Sequence, residues 1–218
     1  MSKIATRARI LDGALDVFAR KGYHRAIVDD IVRASGTSKG AVYHHFANKE
    51  AVFLALVDEF AGRLAAAVAA TVAAHRGALD KVEGALTAAL ATFADNERLA
   101  RLILLEAVSL GPTYQAKRSE VTARFATLIQ TYLDEAVADG SLAPLDTRVA
   151  TLAWLGAVNE VVVQWLHGGV PDLPATIPAL STVLLRSIGA AGRAPAGDDP
   201  VSRGGRTPSG NLPHGSRG

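Results

Sequence analysis

Apolar residues recur at helical spacing along nearly the whole chain, and no convincing alternating apolar-polar run appears between its glycine and proline breaks. An all-α fold is therefore predicted. The first helix should span about Lys3 to Lys21, burying Ile10, Leu11, Leu15, Val17 and Phe18 and stopping at Gly22. A second, over about Val28 to Ser35, opens on Asp29 and Asp30, whose charges suit the positive end of a helix dipole. Gly36 ends it. Ser38 can cap a two-turn helix reaching about Phe46, and Asn48 can cap a fourth with no strong break before His75 and Gly77, about 40 Å of rod at 1.5 Å per residue.

Further helices are predicted near residues 78–94, 97–110, 113–139, 146–167 and 174–191. Asp95-Asn96, Gly111-Pro112, Gly140 with Pro144, and Gly168-Gly169 with Pro171 mark the breaks between them. About nine helices result, divided into an N-terminal unit over 4–64, a body over 65–192 and a tail over 193–218. Ten of the tail's 26 residues are glycine or proline and large apolar side chains nearly vanish, so disorder is expected there.

Composition narrows the function. The 218 residues include no cysteine, which removes disulfides, thiolate metal sites and cysteine nucleophiles. No apolar stretch resembles a signal sequence, and charges or prolines interrupt every long apolar run, so a cytoplasmic protein without a membrane partner is expected. None of the six histidines has metal-ligand spacing with another, and no glycine-rich phosphate loop follows a strand. No metal, no cofactor and no enzymatic activity are expected.

The formal charge of +2 hides a polarity: residues 1–50 hold nine Lys/Arg against five Asp/Glu, whereas residues 51–192 hold ten against fourteen. A basic head on a mildly acidic body points to a polyanion partner for the head.

The stretch Ser35-Gly-Thr-Ser-Lys-Gly-Ala-Val-Tyr-His-His-Phe46 carries the sharpest signal. Two short helices meet at Gly36, where a glycine allows the positive φ of a tight bend, in the manner of a helix-turn-helix. Ile31 and Ala34 on the first helix, with Val42 and Phe46 on the second, are expected to face inward. Lys39, Tyr43 and His44 then point outward, with His45 close by. Such side chains can meet phosphates or base edges.

From Arg9 to Leu56 the chain resembles the TetR family of bacterial transcriptional regulators. The likeness runs through the first helix ending in Phe and Lys-Gly-Tyr, the Asp-Ile of the second helix, Ser-Lys-Gly, Tyr-His-His-Phe and Asn-Lys-Glu. It implies a three-helix DNA-binding domain joined by a long helix to a helical ligand-binding and dimerisation domain. It also implies that Thr37, Ser38, Lys39, Gly40, Tyr43, His44, His45 and Lys49 face DNA. Base readout would fall to Lys39, Gly40 and His44, and phosphate contact to Lys49, while His45 either faces DNA or caps its helix. The chain departs from the family pattern at Ile27, where a Ser or Thr usually caps the second helix and touches phosphate. It departs again at Val32 and Thr37, usually a small and an apolar residue.

The body supplies the remaining expectations. The segment from Thr151 to Gly169 is apolar nearly all round, with Leu152, Val163 and Leu166 on one side and Trp154, Val158, Val161 and Trp165 on the other. It is either the seam of a homodimer, together with the segment from Pro174 to Ile188, or the central helix of a monomer. Glu106 and Asn159 are polar residues in apolar stripes, and they meet either a ligand or an internal partner. With Trp154 they form the candidate ligand set for a hydrophobic small-molecule effector. The expected function is a dimeric repressor of a palindromic operator in double-stranded DNA, released by that effector. The alternative is a helical small-molecule binding protein that has lost or changed its DNA binding.

Overall fold

The computed structural model describes residues 3–106, 110–168 and 172–190, and among them it contains helices and no strand. The expected tail lies outside these residues, as does Pro171. The first four helices are α1 (Lys3–Lys21), α2 (Val28–Ser35), α3 (Lys39–His45) and α4 (Lys49–Ala74). The body adds α5 (Ala78–Asp95), α6 (Glu97–Arg101), α7 (Pro112–Ala138), α8 (Thr147–Leu166) and α9 (Leu173–Ser187). α6 runs on into one wider π-helical turn, Leu102–Glu106.

Local chemistry explains the boundaries. The Ser38 hydroxyl accepts from the Ala41 N–H at 3.1 Å and the Asn48 side chain from the Ala51 N–H at 2.8 Å, so α3 and α4 each begin on a side-chain cap. Gly36 takes φ +59°, the left-handed conformation that lets the chain leave α2 and turn at once into α3.

The inward faces of the first three helices contribute to a core that continues into the body. Ile10, Leu11, Ala14, Val17 and Phe18 are buried on α1, and Val42 and Phe46 anchor α3 from behind. Leu15 is only partly buried. On α2 the inward stripe is Ile31 with Ser35, and Ala34 is exposed, contrary to the sequence reading. The reason is a close helix crossing. A Cβ placed on Gly13 of α1 would stand 2.7 Å from the Ser35 backbone nitrogen and 2.9 Å from its Cα, so Ser35 occupies the contact and Ala34 rotates outward.

In the body, α5 packs against α4, α7 and α9, and α7 against α8. Trp154, Val162 and Leu166 are the buried apolar residues of α8, while Leu152, grouped with Leu166 in the sequence reading, is 58% exposed. Val149 on α8 and Val183 on α9 are also exposed, leaving an open apolar strip along this pair. By length and composition alone α8 would also pass as a membrane span, yet its buried side is part of the core shared with α9.

The crossing at Gly13 yields a prediction in which two effects compete. Gly→Ala inside a helix normally gains about 1 kcal/mol. Here the added methyl meets backbone, and overpacking costs about 1–3 kcal/mol. Gly13→Ala is therefore expected to lower the thermal midpoint, and an unchanged or raised midpoint in a melting curve would contradict so tight a crossing.

Candidate functional site

Two sites emerge, one on the outer face of α3 and one inside the body. The first is held in place by cations tied to backbone carbonyls. The Arg9 guanidinium donates to the carbonyls of Ser35 (2.8 Å) and Gly36 (2.9 Å), closing the end of α2 at the turn. The Lys49 ammonium donates to the carbonyls of Tyr23 (2.7 Å), Ala26 (2.9 Å) and His24 (3.4 Å), and lies 4.2 Å from the centre of the Tyr23 ring. Burial pushes its pKa down. Lys49 thus fastens the α1–α2 connector to the first turn of α4. Nothing in its sequence context distinguishes that role from phosphate contact, because the three carbonyls converge only in three dimensions.

Asp30 is the second fastening. It is buried and accepts from the Lys21 ammonium at 2.7 Å, from the Ile27 N–H at 3.2 Å and from Arg33. The Lys21 contact foremost, then the Ile27 N–H and Arg33, hold its carboxyl at about 2 against an ordinary 3.8. The Asp30 carboxylate accepts from the Ile27 N–H, the half of a capping box that remains where Ile27 offers no hydroxyl to the first turn of α2.

On this frame the outward residues take their places. Lys39, Gly40, Tyr43 and His44 are exposed on α3, with Tyr43 48% exposed. The Lys39 ammonium pairs with the Asp29 carboxylate at 2.8 Å, which raises its pKa. Ser38 is exposed but serves as the cap, and the half-buried Thr37 hydroxyl lies 2.8 Å from that of Ser35. His45 is half-buried, with its ring centroid 6.3 Å from that of Phe46. Burial lowers its pKa, helped by His44, Lys3 and Arg7. Four of the eight sequence-derived residues are therefore exposed on the outer face, and Thr37, Ser38, His45 and Lys49 each have an internal role.

The second site is a cavity of about 470 Å³ within the body. Val57, Phe60, Leu64 and Val68 of α4 form one wall and Val82, Leu86 and Phe93 of α5 a second. α7 contributes Tyr114, Arg118, Phe125 and Ile129 along one face. Trp154 and Asn159 also line it, as the sequence suggested, but Glu106 does not. The Glu106 carboxylate instead lies toward the first domain, 3.7 Å from where a Cβ on Gly22 would stand. The wide turn Leu102–Glu106 explains the difference: it presents Ile103 and Leu104 to the cavity and aims Glu106 at the head.

Tyr114, which the sequence reading missed, is fully buried and donates its hydroxyl to the Ile103 carbonyl at 2.5 Å. Burial raises its pKa. Its ring sits 6.0 Å from that of Phe53 on α4, so it joins α4, α7 and the π-helical turn. The spacing of Tyr114, Arg118 and Phe125 was the available signal, one polar-aromatic stripe on a long helix of otherwise ordinary composition.

The contacts of Asp30 set an acid dependence. Its carboxyl is depressed from 3.8 to about 2 in the folded state, so its stabilising contribution is complete above about pH 4 and disappears as pH falls toward 2. Asp30→Asn should be less stable than the parent at neutral pH, with the difference closing over that interval. Denaturant melts at a series of pH values read it directly, and a constant gap down to pH 2 would exclude the assignment.

Comparison with known proteins matches two stretches of the chain. Residues 10–56 match the profile described as bacterial regulatory proteins, tetR family, and residues 75–169 match that of the tetracyclin repressor-like C-terminal domain. The fatty acid metabolism regulator protein of Bacillus subtilis is 25% identical over 181 residues, spanning 83% of this chain and 92% of that protein. The HTH-type transcriptional repressor AcnR of Corynebacterium efficiens is 34% identical over 138 residues, 62% of this chain and 63% of that protein. The structure of the fatty acid degradation regulator FadR from Bacillus halodurans superposes with a TM-score of 0.75 at 29% identity, covering 82% of this chain and 97% of that one. With both its head and its body matched, the chain belongs to the TetR family of bacterial transcriptional regulators.

Proposed function

We propose that this protein is a cytoplasmic repressor that binds a palindromic operator as a homodimer and releases it when a hydrophobic small molecule fills the body cavity. The observation that carries this reading is the sharing of one helix. α4 begins at the Lys49 fastening to the α1–α2 connector and continues, within the same 26 residues, as the cavity wall from Val57 to Val68. A ligand that prefers a displaced α4 disfavours the DNA-competent placement of α3, by a coupling of about 1–3 kcal/mol. The repressor named among the relatives supports the direction of control.

Within this reading Lys39, Gly40, Tyr43 and His44 are the residues that meet DNA, with Lys39 reaching a base edge or a phosphate and Tyr43 donating to a phosphate. Thr37, Ser38 and His45 shape the helix that carries them, and Lys49 fixes its seat. Two such helices must be held about one duplex turn apart, or a multiple of it. The open strip on α8 and α9, with Val149, Leu152 and Val183 exposed, is the surface that a second copy covers.

The exposed Ile27 and the committed Lys49 favour one second reading, a ligand-binding protein whose DNA contact has been lost. Selection from random duplexes separates the two. The first requires an enriched palindrome, and Lys39→Ala and Tyr43→Ala should each weaken binding to it by about tenfold without changing the melting curve, each removing about 1–2 kcal/mol of contact. A library that enriches no palindrome supports the second.

The dimer surface has its own test. Leu152→Asp should give a folded monomer by sedimentation that no longer binds the two-half-site duplex. A dimer that persists in Leu152→Asp and in Val149→Asp would remove α8 from the seam.

A further inference from the structure

The cavity has a polar end and an apolar end, and the polarity has a direction. Arg118 is the one charged side chain among the described residues lining it. Its guanidinium reaches a single neutral partner, the Asn159 side-chain oxygen at 3.4 Å, and no carboxylate pairs with it among the described residues. The neighbouring acids are already occupied: Asp58 and Glu120 both pair with Lys117, at 3.2 and 2.9 Å. A half-buried guanidinium with five N–H donors and one long hydrogen bond to an amide is under-satisfied, and an anion is the partner that best matches its fork.

The rest of the lining gives the shape of what carries the anion. From Arg118 to Ile129, α7 presents Val121, Phe125 and Leu128 along about 16 Å, at 1.5 Å per residue. α4 runs beside it from Val57 to Val68 over the same length. The Lys117–Asp58 pair joins these helices at the Arg118 end. Tyr114 does not compete for the head group, since its hydroxyl is spent on the Ile103 carbonyl. The Trp154 indole N–H is likewise spent, on the Ser187 hydroxyl at 3.3 Å.

Building on the ligand-released reading above, we propose that the effector is an elongated apolar molecule with an anionic head, the head held by Arg118 beside Asn159 and the chain lying between α4 and α7 toward Ile129. The head then sits next to Tyr114 and the start of α4, where the body meets the DNA-reading domain. Two sources supply such an anion: the carboxylate of a free aliphatic acid, or the phosphates of an acyl thioester of coenzyme A.

Calorimetric titration of the full chain without DNA tests this, using dodecanoate, methyl dodecanoate and dodecanoyl-coenzyme A as probes. At least one anionic probe should bind about tenfold or more tightly than the methyl ester, as a charge-assisted pair requires. Arg118→Gln should abolish that preference while methyl ester binding persists, and Arg118→Lys should restore part of it. A preference for dodecanoate identifies a carboxylate head, and one confined to the thioester identifies a phosphate. Equal binding of acid, thioester and ester, or a preference that survives Arg118→Gln, overturns the assignment of Arg118 and leaves the cavity as a site for neutral ligands. Failure of all three probes to bind overturns the head-group inference. In a separate gel shift, a bound probe that leaves the protein–DNA complex intact counts against the release mechanism alone.

Discussion

One helix belongs to two structures at once, and most of the protein's design follows from that sharing. α4 is a continuous rod of 26 residues whose first turn holds the α1–α2 connector through Lys49 and whose middle turns wall the cavity. A rod of this length has no internal break to absorb a displacement, since no proline or π-helical turn interrupts it. In the proposed release, a shift at Phe60 passes along this unbroken rod to Lys49. The carbonyl cluster hands it to the α1–α2 connector, which Asp30 ties to α1 and α2, while Arg9 ties the end of α2 to α1.

A second path runs alongside the first. α6 touches α1 through the Arg98–Asp16 ion pair at 2.6 Å, and its π-helical continuation meets both the cavity, through Ile103 and Leu104, and the Tyr114 hydroxyl. A π-helical turn has poorer hydrogen-bond geometry than an α-helix and often marks a functional site. The surface ion pair itself contributes little stability, since exposed pairs are worth about 0–1 kcal/mol. Its value is geometric: it aligns the edge of the body with the outer side of α1.

Much of the fold was legible in the sequence because each boundary depends on one or two local residues. Ser38, Asn48, Gly36 and Gly111-Pro112 announce helix ends by chemistry that acts within a turn. The errors arose where the deciding contact lay far along the chain. Whether Ala34 or Ser35 faces inward depends on Gly13, more than twenty residues away, and both positions satisfy a helical repeat with Ile31. Lys49 reads as a solvated or phosphate-binding lysine until the three carbonyls are seen to converge on it. Glu106 looked like a cavity residue because an ordinary α-helical turn was assumed, and the wider turn aims it elsewhere. Trp154 and Asn159 are conspicuous in the sequence as aromatic or polar members of a long apolar helix, whereas Arg118 lies on a helix with several other charges and stands out from none of them.

In the DNA-binding reading proposed above, the Lys39–Asp29 pair bears on how the protein finds its site. A free lysine in solution is attended by mobile ions, and a duplex gains affinity when its own condensed cations are freed by such a lysine. Lys39 comes with an acid tethered to the neighbouring helix, and that acid cannot diffuse away. Any phosphate approaching Lys39 must compete with Asp29 and is also repelled by it. The net attraction of this part of α3 for an arbitrary stretch of backbone is correspondingly small. A base-edge acceptor set in the groove carries no full charge and suffers less from the same neighbour. The tethered acid thus lowers the grip on irrelevant DNA more than the grip on the right sequence, so the reading helix is left free to slide until it meets one.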